Sequence, residues 1–240
     1  MMQLESLSLF FPTFNEEQNI QSQLNHALEV APSVAKLYEL IVIDDGSTDQ
    51  TAAIVQKMMV NHPQIKLISH PKNRGYGAAL KSGFKAAQYS WIFFTDADLQ
   101  FDLRELSEFI PFTTRYQAIL GYRRTRAEGK GRAFNAKMFK LFIDLLFRVH
   151  VKDIDCAFKL FDARLIHSIE LESNGAFISA ELLYKLKKQG APFKQIPVTH
   201  HLRLRGNPTG ANIKVIIKAG LEAIKLYLKI KLHRLQAHQW

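Results

Sequence analysis

Apolar segments alternate with amphipathic ones through the first hundred residues of this 240-residue chain. Short apolar runs predict β-strands at 7–14, 39–50 (ending in a turn), 65–70 and 91–96. Helical spacing between them predicts helices at 15–31 and 51–62, and 73–87 is a glycine-containing loop that leads into a further helix. The strands are apolar throughout, as in parallel sheets that helices cover on both faces. We therefore expect an α/β fold with a mostly parallel central sheet.

The second half is less regular and carries three helical patterns, at 133–151, 177–190 and 211–236. The last pattern has one stripe of large apolar residues: Ile213, Ile217, Leu221, Ile224, Leu228, Leu232 and Leu235. A second stripe is basic: Lys214, Lys218, Lys225 and Lys229. Such a helix lies on an anionic membrane or packs on its own domain with its lysines in water, and both alternatives stay open. We divide the chain into a domain at 1–210 and a basic amphipathic tail at 211–240.

Charge and composition narrow the function. The net charge is +10, with seven Lys/Arg against one acid in 121–140 and eight against one in 202–240. Such blocks favour an anionic partner, but they lack interleaved aromatic residues, which disfavours nucleic acid. The single cysteine, the lack of a visible secretion signal and the lack of a long apolar run predict a cytoplasmic protein that does not span a membrane.

Acidic residues follow three of the predicted strands: Glu16, then Asp44, then Asp96 with Asp98. Ligands of open α/β sheets bind at the carboxyl ends of the strands, so we expect these side chains to converge. Hard carboxylate oxygens suit Mg²⁺ or Mn²⁺, with Gln100 and Asp102 as nearby candidates for ligands or supporting residues. The chain has neither a dinucleotide GxGxxG after the first strand nor a GxxxxGK[ST] phosphate loop.

Local patterns add three expectations. Glu16 and Glu17 fit the first turn of the helix at 15–31, where the helix dipole favours acids. Ser47 or Thr48 fits the cap of the following helix. Gly75 and Gly77 indicate a close backbone approach or positive φ, with an ordinary loop as the alternative.

These motifs together resemble the family-two glycosyltransferases, and among them the dolichyl- and polyprenyl-phosphate hexose synthases. The matching segments run in the family's order from 6 to 210: "PTFNEE", "VIDDGSTD", "NRGYGAALKSGF", "DADLQFD", "GYRRTR", "GRAFNAKMF", "VKDIDCAFKLFDARLI" and "AELLYKLKKQGAPFKQIPV". The resemblance implies a GT-A nucleotide-sugar fold. It also implies transfer of a hexose from a GDP- or UDP-sugar donor to a lipid-phosphate acceptor, on the cytoplasmic face of a membrane.

The resemblance implies roles for individual residues. Donor contacts fall on Pro12, Phe14, Glu16, Val42 and Asp44, with Phe14 where the family usually has Tyr. The metal and diphosphate site falls on Asp96, Ala97 and Asp98, with Gln100 as a further ligand. Phosphate-binding cations fall on Arg132 and Arg203, and we add Arg123 and Arg124 as candidates. Asp153, Phe158, Lys159 and Glu181 also fit the pattern, with less definite roles.

The chain departs from the family in two places. Pro208 and Thr209 stand where the family often has Ser-Lys, which removes one cation, and Arg205 or Lys214 is the candidate replacement. Many members carry transmembrane helices after the catalytic domain, whereas this chain has only the amphipathic tail, so we expect peripheral contact with an anionic membrane.

The acceptor chemistry distinguishes two mechanisms. A lipid phosphate is already ionised at neutral pH, so an inverting displacement needs no strong base but needs cations to neutralise repulsion. The alternative is a family-two enzyme that glycosylates a hydroxyl of a polysaccharide or glycolipid, which requires a side-chain base. The segment "SAELL" lacks the paired Glu-Asp that many such enzymes display. Segment 139–151 is a candidate for an apolar acceptor entrance, although core packing is favoured there.

Overall fold

The computed structural model describes residues 2–125, 130–206 and 213–237, and the side chains of 130–137, 213–216 and 232–237 lie outside the described set. The strands are β1 (Leu4–Thr13), β2 (Ala35–Asp44), β3 (Ile65–Ser69), β4 (Trp91–Thr95), β5 (Ala118–Arg123), β6 (Phe158–Asp162) and β7 (Phe193–Val198). The helices are α1 (Ile20–Val34), α2 (Thr51–Met59), α3 (Tyr76–Ala86), α4 (Lys130–Phe147), α5 (Ala163–His167), α6 (Ile178–Lys188) and α7 (Ile213–Ala237). Two 3₁₀ helices, Leu103–Glu108 and Ile110–Thr114, follow β4.

Within the described ranges the strands form one sheet in the order β3-β2-β1-β4-β6-β5-β7. Strands β1, β2, β3 and β4 pair in parallel, as their apolar sequences predict, and β7 is parallel to β5. Strand β6 is antiparallel to both of its neighbours. The expected mostly parallel α/β sheet is therefore confirmed, with an antiparallel strand inserted in its second half.

The core lies on both sides of β4, because successive strand residues point to opposite faces. On one face Phe94 packs with Phe10 of β1, Phe84 of α3 and Phe161 of β6. On the other face Phe93 packs against Phe158, with ring centroids 4.7 Å apart. Both faces of the strand that precedes the Asp96–Asp98 pair are thus filled by aromatic rings.

The first helix begins later than the acidic pair predicts. Asn15 has a positive φ of 54°, and α1 starts only at Ile20, so Glu16 and Glu17 lie in the loop before the helix. This loop is tied to the segment after β2: Ser47 Oγ, Asp49 Oδ2 and Thr51 Oγ1 accept the backbone N–H groups of residues 15, 17 and 16. Placing Glu16 and Glu17 in the first helical turn was wrong, because side chains of a neighbouring loop bind these N–H groups instead.

The cap of α2 also differs from expectation. Its N-cap residue is Gln50, without a side-chain cap, and neither Ser47 nor Thr48 fills that role. Ser47 Oγ accepts the Asn15 N–H, and the Thr48 N–H donates to Asn15 Oδ1. The loops after β1 and β2 thus support each other at the edge of the sheet where the acidic residues lie.

The C-terminal helix α7 packs on the domain through a stripe other than the one of large apolar residues. Ala219, Ala223 and Leu226 are its buried side chains among those described. The members of the predicted apolar stripe that are described, Ile217, Leu221, Ile224 and Leu228, are 45–63% exposed. The other members, Ile213, Leu232 and Leu235, have side chains outside the described set. The helix both packs on the domain and presents a second apolar stripe outward.

Candidate active site

Three strands bring acidic loops to one edge of the sheet. Strand β1 runs parallel to β2, with Thr13 opposite Asp44, and parallel to β4, with Phe10 opposite Phe94. The carboxyl ends of these strands therefore lie side by side, and the segments that follow them meet there. The convergence that the strand order predicts is present.

The segment after β4 makes a tight turn that carries two carboxylates. Leu99 has a positive φ of 62°, and Asp98 Oδ1 accepts the Gln100 N–H at 3.2 Å. Asp96 Oδ1 accepts a hydrogen bond from the Tyr76 hydroxyl at 3.1 Å. Burial, followed by the neighbouring charge of Asp98, raises the pKa of Asp96 to about 7. Burial also raises the pKa of Asp98, against the effects of the Gln100 N–H and Arg203.

Arg203 bridges two of the three acidic loops. Its Nη2 lies 2.7 Å from Glu16 Oε1, and its Nη1 lies 3.4 Å from Asp98 Oδ2. Its Nε donates to the Arg205 carbonyl at 2.8 Å, and Asn19 Nδ2 donates to Glu16 Oε2 at 2.7 Å. The segment after β7 therefore closes over the carboxylates, with a nearly buried guanidinium between Glu16 and Asp98.

Gln100 also holds the segment after β7 in place, through two hydrogen bonds with His201. Its side-chain amide donates to the His201 carbonyl at 3.0 Å, and the His201 N–H donates to the Gln100 carbonyl at 2.8 Å. Its role as a metal ligand stays a prediction. Asp102 accepts the Arg104 N–H at 3.0 Å and caps the first 3₁₀ helix, and it lies 3.3 Å from His26 Nε2. Asp102 therefore has a structural role in the loop.

The two acids at the end of β2, Asp44 and Asp45, have different hydrogen-bond partners. Asp44 Oδ1 accepts the Ser47 N–H at 3.0 Å, which shapes the turn, and its side chain is buried at the sheet edge. Asp45, which lies in the predicted 39–50 segment that ends in a turn, accepts the N–H groups of Arg74 and Gly75 at 2.9 and 2.8 Å. Its Oδ1 also lies 2.6 Å from His70 Nδ1. Asp45 thus positions the loop that leads into α3 and to Tyr76.

The glycines of that loop are explained by a close approach. Gly75 has a φ of 99°, and a Cβ there would lie 2.5 Å from the Asn174 carbonyl oxygen. A Cβ on Gly77 would lie 2.7 Å from the Asn174 carbonyl carbon, and the Gly77 N–H donates to the Asn174 oxygen at 2.9 Å. The expected close backbone approach is present, and the partner is the 173–175 segment.

The carboxylate of Glu181 is fully buried and committed to neighbouring groups. It accepts the N–H groups of Glu172 and Ser173, each at 2.8 Å, and it pairs with Lys185 at 2.7 Å. Burial would raise its pKa, but Lys185 and these N–H groups outweigh that effect and lower it. Glu181 therefore holds the segment that packs against Gly75 and Gly77.

A second buried cluster lies beside the acids, at the ends of β5 and β6. Arg123 makes a two-pronged ion pair with Asp153, at 2.7 and 2.9 Å, so its guanidinium is already engaged. Lys159 is fully buried and donates to the backbone carbonyls of Ile154 and Cys156. Burial lowers the pKa of Lys159, and its charge is one of the influences that lower the pKa of Asp96.

The remaining site residues differ in what the structure says of them. Pro12 and Val42 are buried within β1 and β2, Ala97 is buried between the two acids, and Phe14 is half-buried at the end of β1. Arg132 lies near the start of α4 with its side chain outside the described set, and Arg124 is exposed. Pro208, Thr209 and Lys214 also fall outside it. The donor and phosphate contacts of these residues stay predictions.

Among the described residues, no three His, Cys, Asp or Glu side chains are grouped as a metal cage. The Asp96–Asp98 pair still fits a hard divalent cation, because Mg²⁺ and Mn²⁺ are often held by one or two carboxylates, with water and substrate phosphates completing the shell. The raised pKa values of both acids support this fit, since a nearby cation would relieve the cost of their crowded negative charge.

Several solved structures share the fold. Glucosyl-3-phosphoglycerate synthase from Mycobacterium tuberculosis, in complex with Mn²⁺, UDP and glucosyl-3-phosphoglycerate, superposes with a TM-score of 0.67 at 21% identity, covering 91% of this chain and 80% of that one. Its complex with Mg²⁺ and UDP gives a TM-score of 0.65 at 21% identity, covering 91% and 79%. The expected GT-A-type fold is confirmed by these neighbours. Within the described ranges, no helix has the length and apolarity needed to cross a membrane.

Several of the curated relatives have names that specify a lipid phosphate. A dolichyl-phosphate beta-glucosyltransferase of Trichomonas vaginalis is 33% identical over 168 residues, covering 62% of this chain and 50% of the relative. A dodecaprenyl-phosphate galacturonate synthase of Rhizobium johnstonii is 27% identical over 205 residues, covering 83% and 60%. Such matches span from 32% to 66% of the relatives' own length.

The family model described as glycosyl transferase family 2 matches residues 8–169. This match includes the second half of β1, all of β2 to β4, the Asp96–Asp98 turn and Lys159. It leaves out the segment that carries Arg203 and the helix α7. The chain belongs to glycosyl transferase family 2.

Proposed function

We propose that the protein transfers a hexose from a GDP- or UDP-linked donor to a polyprenyl or dolichyl phosphate, with inversion at the anomeric carbon. The observation that carries this proposal is the meeting of Glu16, Asp98 and Arg203 at the carboxyl ends of the strands. It combines acids that suit a metal-bound diphosphate with a cation that suits a second phosphate. Family membership and the lipid-phosphate relatives support the same assignment.

On the donor side, Asp96 and Asp98 are the residues that would hold Mg²⁺ or Mn²⁺. The bound cation supplies neutralisation of the diphosphate charge as the sugar departs. Tyr76 orients Asp96 through its hydroxyl, 3.1 Å away. Asp44 and Glu16, with Pro12, Phe14 and Val42, line the nucleoside side. The Mycobacterium tuberculosis neighbour in complex with UDP and Mn²⁺ supports the ability of this fold to bind a nucleotide together with a divalent metal.

On the acceptor side, Arg203 and Arg132 hold the lipid phosphate. Arg123 is not part of this group in our proposal, because its two-pronged partner is Asp153, whereas Arg203 contacts Glu16 and Asp98 at the strand ends. The contact of Arg203 with Glu16 and Asp98 keeps the cation between donor and acceptor, where two anions must approach each other. The guanidinium reduces that repulsion and orients the nucleophile.

The displacement itself requires no protein base. An ionised phosphate oxygen of the acceptor attacks the anomeric carbon, the bond from that carbon to the donor diphosphate breaks, and the electron pair leaves on the nucleoside diphosphate. No proton has to be removed from the nucleophile. The commitment of Glu181 to two backbone N–H groups and Lys185 supports this mechanism, because that carboxylate is not available as a base.

We also propose that the protein acts at the cytoplasmic face of a membrane, held there by α7. The exposed stripe of Ile217, Leu221, Ile224 and Leu228 lies opposite the stripe that packs on the domain. Exposed Lys218 and Lys225 lie beside it on the same helix. An apolar stripe flanked by lysines suits the interface of an anionic bilayer, where the acceptor is found.

The alternative is transfer to a hydroxyl group of a polysaccharide or glycolipid. That reaction requires a base near the donor, and the commitment of Glu181 disfavours it. The two functions are separated by incubating the protein with Mn²⁺, a panel of nucleotide sugars and either polyprenyl phosphate or a hydroxyl acceptor, and measuring nucleotide release. Release that depends on polyprenyl phosphate supports the proposal. Release that depends only on the hydroxyl acceptor contradicts it.

A further inference from the structure

The segment that follows β7 has two chemically different sides. Arg203 turns inward, with its side chain 14% exposed, onto Glu16 and Asp98. The residues on either side of it turn outward: Leu202 is 63% exposed and Leu204 is 89% exposed. Leu204 is the most exposed large apolar residue in the part of the chain that the structure describes. One short segment thus presents a cation to the active site and two leucines to the outside.

Polar contacts, together with the packing of the buried His200 ring against Phe101, hold this segment in place. The backbone of His201 bonds to both the backbone and the side chain of Gln100. The Arg205 carbonyl accepts from Arg203 Nε at 2.8 Å and from Asn19 Nδ2 at 3.3 Å, and Arg205 Nη1 reaches the Gln18 carbonyl at 3.4 Å. None of these bonds requires leucine at 202 or 204. The two leucines leave a large apolar surface in water, and covering it would be favourable.

The acceptor in the proposed function has the matching two-part chemistry. It joins a phosphate, which suits the guanidinium of Arg203, to an isoprenoid chain, which suits leucine side chains. Because Leu202 and Leu204 adjoin Arg203 in sequence, an acceptor whose phosphate is held by Arg203 would bring the first part of its chain close to them.

We propose that Leu202 and Leu204 bind the isoprenoid chain of the acceptor next to its phosphate. They would thereby make the enzyme selective for long-chain lipid phosphates over small phosphorylated acceptors. This inference rests on the proposed function and adds a specificity determinant to it. Arg203 then binds the phosphate, which all phosphorylated acceptors share, and the two leucines bind the isoprenoid chain, which only the lipid acceptor has.

The test compares two acceptors, one with an isoprenoid chain and one without, rather than measuring activity alone. A Leu202→Ser, Leu204→Ser double variant is assayed with a long-chain polyprenyl phosphate in detergent micelles and with methyl phosphate, a short acceptor that has no isoprenoid chain. The ratio of kcat/KM for the long acceptor to that for the short one should fall about tenfold, because two apolar contacts are lost. The matched control is Leu37→Ser with Val60→Ser, which removes two leucine- or valine-sized groups that are 60% and 82% exposed elsewhere. The control should keep the wild-type ratio.

A binding measurement keeps this inference separate from the proposed function. Equilibrium binding of the same two acceptors, the long-chain polyprenyl phosphate and methyl phosphate, is measured without nucleotide sugar. Tighter binding of the long chain by the wild type, lost in the leucine variant, supports the inference even if no sugar is transferred. Equal binding of both acceptors by the wild type would overturn the inference. It is also overturned if the variant loses binding or activity equally with both acceptors, since the leucines would then only hold Arg203 in position.

Discussion

Arg203 Nη1 lies 3.4 Å from Asp98 Oδ2, so the guanidinium of Arg203 forms an ion pair with a carboxylate that we propose as a metal ligand. The same guanidinium reaches Glu16 at 2.7 Å. Arg203 therefore partly neutralises the acidic edge of the sheet. A metal ion and this side chain act on the same carboxylate.

Replacing Arg203 should change metal binding and catalysis in opposite directions. In Arg203→Gln the carboxylates lose a competing positive charge, so the affinity for Mn²⁺ without nucleotide should rise severalfold at about pH 8. Transfer should fall by about two orders of magnitude, because the group that holds the acceptor phosphate is gone. Calorimetric Mn²⁺ titration and a transfer assay measure the two effects.

The control variant Arg203→Lys keeps the positive charge and should be intermediate in both Mn²⁺ affinity and transfer rate. Weaker Mn²⁺ binding in Arg203→Gln would show that Arg203 does not compete for Asp98.

The raised pKa of Asp96 predicts how metal binding depends on pH. Burial and the charge of Asp98 raise this pKa to about 7, so below that value Mn²⁺ must displace a proton. The apparent affinity should weaken by up to about tenfold for each pH unit below 7 and level off at higher pH. Titrations followed by electron paramagnetic resonance of free Mn²⁺ test this dependence.

Two variants test whether Asp96 causes it. The Tyr76 hydroxyl lowers the pKa of Asp96, so Tyr76→Phe should move the pH dependence to higher pH. Without metal, the folded protein keeps a proton on Asp96 that the unfolded chain releases above about pH 4. The free energy of unfolding should therefore fall as pH rises from about 4 to about 7, and Asp96→Asn should reduce this fall. A pH dependence identical in the wild type and Asp96→Asn would contradict the assignment.

The two glycines Gly77 and Gly220 should respond to alanine in opposite ways. A Cβ on Gly77 would lie 2.7 Å from backbone atoms of residues 173 and 174, so Gly77→Ala should destabilise the protein by about 1–3 kcal/mol. Gly220 lies within α7 with no heavy atom within 4 Å of an added Cβ, so Gly220→Ala should stabilise by up to about 1 kcal/mol. Urea unfolding measures both. Equal stability of the Gly77→Ala variant and the wild type would contradict the packing of α3 on this segment.

Helix α7 should bind anionic vesicles through its outward stripe. The variant Ile217→Ser with Leu221→Ser removes exposed apolar groups, so folding should be little affected. Its affinity for phosphatidylglycerol vesicles, measured by co-sedimentation, should fall about tenfold. Leu37→Ser with Val60→Ser is the matched control for lost apolar surface. Unchanged sedimentation of the α7 variant would remove the membrane role of this stripe.

The first half of the fold was predictable because its strands are apolar and its loops carry their own signals. The order of β1 to β4 alone implies that Glu16, Asp44 and Asp96 meet, and the structure brings these loops together. Strands β5, β6 and β7 were not assigned from the sequence. Strand β6 contains the buried Lys159, and β7 contains Lys194 and Gln195, so no continuous apolar pattern marks them.

Contacts between distant loops were the least predictable part of the site. Ser47 fits a helix cap by pattern, yet it accepts the Asn15 N–H, a contact that depends on how two strand ends align. Asp45 looks like a turn residue, yet it anchors His70 and the Gly75 loop. The orientation of α7 was missed for a related reason, since alanines at 219 and 223 allow close packing on the domain while the larger residues face outward.

The most direct test of the account is metal-dependent transfer by Asp98→Ala. Wild-type protein with Mn²⁺, nucleotide sugar and polyprenyl phosphate should release nucleotide and place labelled hexose in the lipid phase, and EDTA should abolish both. Asp98→Ala should lose transfer by at least about a thousandfold. Asp102→Ala, which removes an acid that caps the 3₁₀ helix of the same segment, should stay active. Full activity of Asp98→Ala, or activity of the wild type that survives EDTA, would contradict the assignment of this acid pair to a metal-bound diphosphate.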